Sequence, residues 1–360
     1  MQLPPRWKVI RELKRIQRQL DQVPWFAWSP FSKMLHDATK RWKIRVLDGP
    51  KARQSHIAVF LIFQPNGLKE SLVHTLKHLN DNGYSVFLVA NHSLDQDALD
   101  VLAPHCWKVM QRPNYGYDFG GYRDAILHLA SNDVLPDSLL VMNDSMWFPL
   151  FDDCTLLDRF KAQTTDLFGF VLSEYKHRKN PEPHIQSYMF SFRKEAMQRP
   201  EFRKYWRGMT VSSNKQMVIR RCEKKMTMDL NEAGFSFGSV HTFEDVTKAI
   251  AELPDDQLEY LVRYQAEIGT RNASQLIEHV ENKDQDPKWA DKIRSFLDTE
   301  TFGKYLLLAH PNVLIGRLRV PMLKKDRLFN YQVQRRALLE SEHRAEISPV
   351  ILDEISSWDT

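Results

Sequence analysis

The chain has 360 residues, 42% of them hydrophobic and 27% charged, with a formal net charge of +4. This is the composition of an ordinary soluble globular protein, with room for one large domain plus an appendage or for two domains and no grounds to expect disorder. Its three cysteines, Cys106, Cys154 and Cys222, are far apart and fit neither a disulfide framework nor a zinc pattern, which points to a reducing compartment.

The charge is unevenly distributed. Residues 1–53 hold 13 Lys and Arg against 4 Asp and Glu, whereas the rest of the chain holds 37 against 42. In that first stretch Trp7, Ile10, Leu13, Ile16, Leu20 and Val23 recur at three- and four-residue steps, the mark of an apolar helix face. Arg6, Lys8, Arg11, Lys14, Arg15 and Arg18 fall mainly elsewhere, and PWFAWSPF follows with Trp25, Phe26, Trp28 and Phe31. Two readings stand: a helix packed on the main domain with its charges in water, or a basic arm whose residues 6–31 lie in the interface of an anionic membrane. Nucleic acid is not an expected partner, because the remaining chain is acidic and carries no recognition module. The N-terminus has no apolar leader core, and the run Ile57–Phe63 is far below the roughly 20 residues of a membrane span. A cytoplasmic protein is expected, peripheral on the inner membrane face if the arm meets lipid.

From Ile57 the pattern alternates. IAVFLIF is short, β-branched and aromatic, as expected of a strand buried on both faces of a parallel sheet. After the turn QPNG, Leu72, Leu76 and Leu79 line one face of a helix that Gly83 ends, and SVFLVAN is the next strand. Residues 57–91 thus have the size of one βαβ unit. HSLDQDALDVLAP supplies a helix, WKVMQRP a third strand, YRDAILHLA a helix, SLLVMND a fourth strand and DLFGFVL a fifth. The repetition predicts an α/β fold with a doubly wound, mostly parallel sheet and ligand loops at the carboxyl ends of its strands.

The polar clusters fall at those ends: Gln64, then Asn91 and His92, then NYGYDFGG, then Asn143, Asp144 and Ser145. NYGYDFGG runs into a helix N-terminus, where free N–H groups favour an anion such as phosphate. Gly116, Gly120 and Gly121 suit positive φ or close approach, but their spacing is neither GxGxxG nor the Walker pattern, and a tight structural turn stays open. Asp144 with its neighbouring oxygens suits a hard cation, Mg²⁺ or Mn²⁺, that completes its shell with substrate phosphates. Asp144 and Ser145 capping the following turn is the alternative.

NYGYDFGGYRDA, then VMNDSMWFPL, then SEYKHRKNPEPHIQSYMFSF together resemble the rhamnan synthesis protein F family of glycosyltransferases over roughly residues 55–325. More distantly, FLIFQPNG, FLVANHS, RPNYGYDFGG and VMNDS are similar to the nucleotide-binding half of GT-A glycosyltransferases. The resemblance implies a GT-A-like fold, a nucleotide-sugar donor, a divalent metal and a glycan or lipid-linked glycan acceptor. By position it places Gln64 and Asn91 near the nucleoside, Asn114, Tyr117, Asp118 and Asn143 near the nucleotide sugar, Arg123 near phosphate and Asp144 at the metal. The usual DxD signature is here Asn143-Asp144-Ser145, with a single carboxylate, so His310 is considered as a late ligand.

An inverting transfer needs a carboxylate base facing the acceptor hydroxyl. Glu174, closing the fifth strand, is the preferred candidate, with Asp153 in FPLFDDC as another; His184, Gln186 and Tyr188 are read as acceptor or sugar contacts. Glu223 is read as part of a solvated face, because Arg220, Arg221, Lys224 and Lys225 surround it in sequence. Residues 244–300 are strongly helical. The organisation expected is a basic helical arm over 1–53, a glycosyltransferase domain over 54–330 and a peripheral C-terminal helix or tail over 331–360. The function expected is transfer of a sugar, rhamnose or another deoxyhexose, to a hydroxyl of a growing cell-surface polysaccharide. A catalytically inactive glycan-binding or scaffolding protein and a sugar-phosphate nucleotidyltransferase are the alternatives.

Overall fold

A computed structural model describes residues 23–173, 183–270, 273–299 and 305–359. Its strands are β1 (Arg45–Asp48), β2 (His56–Ile62), β3 (Tyr84–Ala90), β4 (Lys108–Gln111), β5 (Ser138–Asn143), β6 (Met146–Trp147), β7 (Leu167–Ser173), β8 (His184–Ile185), β9 (Met189–Arg193), β10 (Phe237–His241) and β11 (Leu323–Lys324). The main sheet runs β1-β4-β3-β2-β5-β9-β7-β10, with β8 beside β7 and a small separate sheet of β6 and β11.

The parallel centre follows from the unbroken apolar runs. β2 pairs in parallel with both β3 and β5, and β3 with β4. Alternate residues of β2 feed two cores: Ala58, Phe60 and Ile62 pack with Leu72, Leu76 and Leu79 of the helix Glu70–Asp81, while Ile57, Val59 and Leu61 pack with Phe119, Tyr122 and Ile126 of the helix Tyr117–Ser131. Both faces are therefore covered, which is why the strand shows no polar alternation. The sheet is mixed beyond β5: β9 is antiparallel to β5 and β7, and β10 is parallel to β7. β1 was not expected; it lies in the segment read as a helical arm and closes the opposite edge, antiparallel to β4.

The helix Val23–Lys43 sits on the sheet in an inverted sense. Its polar side faces inward: Ser29 and His36 are buried, Ser32 Oγ lies 2.9 Å from Tyr115 Oη, and Asp37 pairs with Arg123 at 2.7 and 2.8 Å. Its apolar side faces out, with Trp28 52%, Phe31 47% and Trp42 69% exposed and Met34 and Leu35 beside them. The apolar stripe read over residues 7–20 lies outside the described residues. At the other end of the chain, residues 331–359 are packed rather than peripheral. Ile351 and Ile355 are buried, and Glu354 accepts bonds from Trp147 Nε1 (2.9 Å) and Ser71 N (3.2 Å).

One buried network fixes the third strand end to its loop and helix. Arg112, just past β4, donates from Nε to Asp124 Oδ2 (2.9 Å), from Nη1 to Asn91 Oδ1 (2.5 Å) and from Nη2 to the Tyr115 carbonyl (2.6 Å). His36 Nε2 lies 3.0 Å from the same Asp124 oxygen. Burial alone would raise the Asp124 carboxyl pKa, but His36, Arg112 and Arg123 together hold it below its usual value. Stability from this lowered pKa is therefore present above the unfolded value of about 3.9 and is lost as pH falls through the folded value.

Replacing Asp124 with Ala leaves the Arg112 guanidinium buried without its counter-charge. Urea unfolding at neutral pH should show a loss of about 3–5 kcal/mol, and a loss under about 1 kcal/mol, the ordinary cost of a point substitution, would contradict the assignment.

Candidate functional site

The carboxyl ends of β2 and β5 lie side by side, with Leu61 in register with Asn143. Directly beyond them the chain turns. Asp144 N donates to Leu61 O (3.0 Å), and Asp144 Oδ2 accepts from Phe63 N (3.1 Å) and Gln64 Nε2 (3.0 Å). Gln64 thus orients Asp144, and its own Oε1 accepts from Lys69 N at 2.9 Å. Asn143 faces the other way: its Nδ2 donates to Asp118 Oδ2 (3.0 Å), and its Oδ1 accepts from Ser145 N (3.2 Å) and Ser145 Oγ (2.6 Å).

Asp118 reaches this place because the NYGYDFGG loop is compressed. Gly116 has φ +78°, a conformation that costs glycine little. At Gly120 a Cβ would sit 2.0 Å from the Tyr115 carbonyl oxygen, so only glycine lets the helix start fold back on its loop, and at Gly121 a Cβ would push on Leu61 Cδ1 at 2.1 Å. The positive end of the helix Tyr117–Ser131 is met by Asp118 itself, in its first turn.

A third carboxylate and two lysines complete the edge. The helix Lys215–Val218 widens into a π-turn, Ile219–Glu223, before continuing as Lys224–Glu232. Burial, with Asp118 as a lesser cause, raises the Glu223 pKa, while Lys324 and the Ser187 hydroxyl oppose the shift. Lys324 comes from β11, which pairs antiparallel with β6 so that Lys324 stands opposite Met146. Its Nζ donates to Ser145 Oγ (2.9 Å) and lies 6.0 Å from the centre of the Tyr188 ring. Burial lowers the Lys324 pKa, with Asp118, Asp326 and Glu223 opposing. Lys325 is held by Ser71 Oγ (2.8 Å) and Glu354 (3.5 Å). Burial also raises Asp118 and Asp144; Asp144 adds to the rise at Asp118, and Lys325 opposes the rise at Asp144.

The residues expected from sequence divide into three groups. Gln64, Asp118, Asn143 and Asp144 come together at the strand edge, linked by the bonds above. Asn91, Asn114 and Tyr117 lie close by but are spent on the loop: Asn91 Nδ2 donates to Asn114 Oδ1 and to Tyr117 O, both at 3.1 Å, its Oδ1 receives Arg112, and Tyr117 Oη donates to Ser213 O (3.0 Å). Three others lie elsewhere. Arg123 is buried with its guanidinium on Asp37 and the Trp206 carbonyl, so it binds the helix Val23–Lys43 and not a phosphate. Asp153 is exposed and pairs with Arg319 at 3.2 Å. His310 is buried against the Tyr264 ring, its Nδ1 accepts from Asn312 N (3.2 Å), and burial pulls its pKa down to about 4.

Glu174, the preferred base, and most of the expected acceptor loop lie outside the described residues. Nearby, Gln186 Nε2 donates to Ser173 Oγ (2.5 Å) and lies 3.4 Å from His184 Nε2. Tyr188 is buried, and its Oη has no hydrogen-bond partner among the described residues. Phe63, which follows β2, exposes 48% of its surface and meets the His92 ring edge to face at 5.9 Å.

Sequence reasoning missed Glu223, Lys324 and Phe63. The basic residues around it in sequence put Glu223 on a solvated face, whereas the chain places it at the end of a π-turn, Ile219–Glu223. The signal for Lys324 was present as two lysines directly after the apolar run VPML, which carries them to a strand end. A separate cleft, lined by residues including Lys204, Tyr205, Arg221 and Asp229, contains none of the strand-edge groups.

Among the described residues no three His, Cys, Asp or Glu side chains come together for an ion. Asp118 and Asp144 each already accept amide donors through Oδ2, and the titration of Asp118 is influenced by Lys324. No step below runs through an ion.

The family model of rhamnan synthesis protein F matches residues 86–258. Protein y4gN of Sinorhizobium fredii is 33% identical over 355 residues, 98% of this chain and 92% of that one. The chain belongs to the rhamnan synthesis protein F family. Virulence protein VirA of Vibrio anguillarum is 28% identical over 174 residues, 46% of this rhamnan synthesis F-family chain and 53% of its own. Two solved glycosyltransferases are distantly similar in fold, each with 10% sequence identity. GlyE of Streptococcus pneumoniae covers 59% of this chain and 48% of its own with a TM-score of 0.31. Mannosyltransferase PcManGT of Pyrobaculum calidifontis, in complex with GDP-Man and Mn²⁺, covers 93% and 89% with a TM-score of 0.34. At such values neither likeness assigns a residue of this family member.

Proposed function

We propose that the protein is a glycosyltransferase that moves a sugar from a nucleoside diphosphate donor to a hydroxyl of a growing cell-surface polysaccharide. The observation that carries this reading is the convergence of Asp118, Asn143, Asp144 and Ser145 with Glu223 and Lys324 beyond the carboxyl ends of β2 and β5. In open α/β sheets that edge is where ligands bind. The family supports polysaccharide synthesis, and rhamnose enters only through the family's description.

The donor lies along the edge in this reading. Its base stacks on Phe63, Gln64 holds Asp144 in place, and the diphosphate faces Ser145. Glu223 is the general base, positioned by Ser187, which Tyr122 fixes through a bond to the Ser187 carbonyl (3.0 Å). As the acceptor oxygen bonds the anomeric carbon, its proton passes to Glu223. The bond from that carbon to the phosphate oxygen breaks, and its electron pair leaves with the nucleoside diphosphate. His184 and Gln186 are assigned to the sugar or acceptor.

The raised pKa of Glu223 gives the reaction an acid limb, because only the carboxylate accepts a proton. Activity with a turned-over sugar nucleotide should rise with pH through a value above that of an ordinary glutamate. Glu223→Gln should lower kcat by about a hundredfold or more while leaving nucleoside diphosphate affinity within a few-fold. Unchanged turnover would remove Glu223 from the chemistry, and no turnover of any sugar nucleotide by the wild type would remove the transferase reading.

The helix Val23–Lys43 adds a location to this reading. Its outward aromatic face beside a strongly basic stretch suits the surface of an anionic bilayer, where a lipid-linked acceptor would be held. Among the described residues no helix is long and apolar enough to cross a membrane. Replacing Trp28 and Phe31 together by Ser should weaken co-sedimentation with phosphatidylglycerol vesicles by about tenfold or more, with the melting temperature unchanged. Equal binding by variant and wild type would exclude this face as the contact.

A further inference from the structure

Lys324 differs from the lysine beside it. Lys325 has a carboxylate at 3.5 Å and a serine hydroxyl at 2.8 Å. Lys324 Nζ donates to one neutral oxygen, Ser145 Oγ, and among the described residues no carboxylate oxygen lies within 4.0 Å of it. An ammonium has three N–H donors, and one partly withdrawn from water is costly to hold without an anion to pair with.

Its position is set by backbone, not by a flexible arm. Leu323 and Lys324 pair with Trp147 and Met146, and Lys325 N donates to the Ser145 carbonyl at 2.9 Å. β11 is thereby held against the turn that follows β5. Asp118 and Glu223 act on the ammonium electrostatically without an ion-pair contact, and Lys215, at the start of the helix Lys215–Val218, influences Asp118. The cationic head is thus centred on the edge where the donor's phosphates would lie, with Ser145 Oγ as an adjacent hydroxyl.

We propose that Lys324 is the resident cation of the donor site, binding the diphosphate of a nucleoside diphosphate directly, so that donor binding needs no divalent ion. This rests on the donor reading above. A compact ammonium binds phosphate as a point charge, and with one N–H on Ser145 Oγ it keeps two for phosphate oxygens. A divalent ion at Asp118 would have to share the carboxylate with the Asn143 amide, which already points its positive end at it.

The test is calorimetric titration of the full chain with UDP, GDP, dTDP and CDP, once in EDTA and once with Mn²⁺. One nucleoside diphosphate is expected to bind in EDTA, and Lys324→Met should weaken it by about ten- to a hundredfold. Lys324→Arg should stay within a few-fold, and the affinity of the uncharged nucleoside should not change in either variant. Should Lys324→Met fail to fold, Lys324→Gln, which can still donate to Ser145, reads the same charge loss. Binding by the methionine or glutamine variant as tight as wild type, or binding seen only with Mn²⁺, would overturn the assignment while leaving the donor reading intact. If no nucleoside diphosphate binds the wild type under either condition, the donor reading itself is wrong and this assignment falls with it.

Discussion

The site depends on the burial of one guanidinium. Arg112 ends the third parallel strand and spends its donors on Asp124, Asn91 and the Tyr115 carbonyl, tying together a strand end, a loop and a helix that would otherwise be independent. An unpaired charge in that position would be prohibitive, so the loop has essentially one way to close. That closure puts Asp118 beside Asn143 and leaves Gly121 pressed on Leu61. The glycines of NYGYDFGG thus serve compactness. The network that they permit carries the functional side chain to the edge of the sheet.

At that edge the charges are arranged in alternation. Asp144, Asp118 and Glu223 stand among Lys325, Lys324 and Lys215, and burial pushes the carboxylates towards their neutral form and Lys324 and Lys325 towards theirs. Perturbed groups of both signs in one place are what a site for acid–base and phosphate chemistry needs, although ion-pair networks perturb pKa values too. Here geometry separates the two cases. Arg335 with Asp359 and Arg193 with Asp166 are closed ion pairs, whereas Lys324 has no carboxylate in contact among the described residues.

Much of this was legible in the sequence, and the rest was hidden for definite reasons. The runs IAVFLIF, SVFLVAN and SLLVMND announced buried parallel strands because each lacks polar alternation, and the clusters at their ends marked the edge that holds Gln64, Asp118, Asn143 and Asp144. Position near the edge did not reveal what a side chain touches. Asn91 is consumed by the loop. Arg123, on the same helix as Asp118 but five residues on, points to another face because that step turns a helix of about 3.6 residues per turn well past one full turn. Glu223 needed the π-turn and Lys324 needed β11, both long-range or irregular features that no local period encodes. In the helix Val23–Lys43 the usual arrangement is reversed: Ser32, His36 and Asp37 make the contacts and Trp28 and Phe31 face outward.

The central claim is that the donor's diphosphate lies beyond β2 and β5. A crystal structure of the full chain with the nucleoside diphosphate that binds it tests this most directly. The account predicts phosphate oxygens within hydrogen-bond reach of Ser145 and Lys324, with the base against Phe63. A nucleotide seated elsewhere, such as the cleft lined by Tyr205, Arg221 and Asp229, would contradict it.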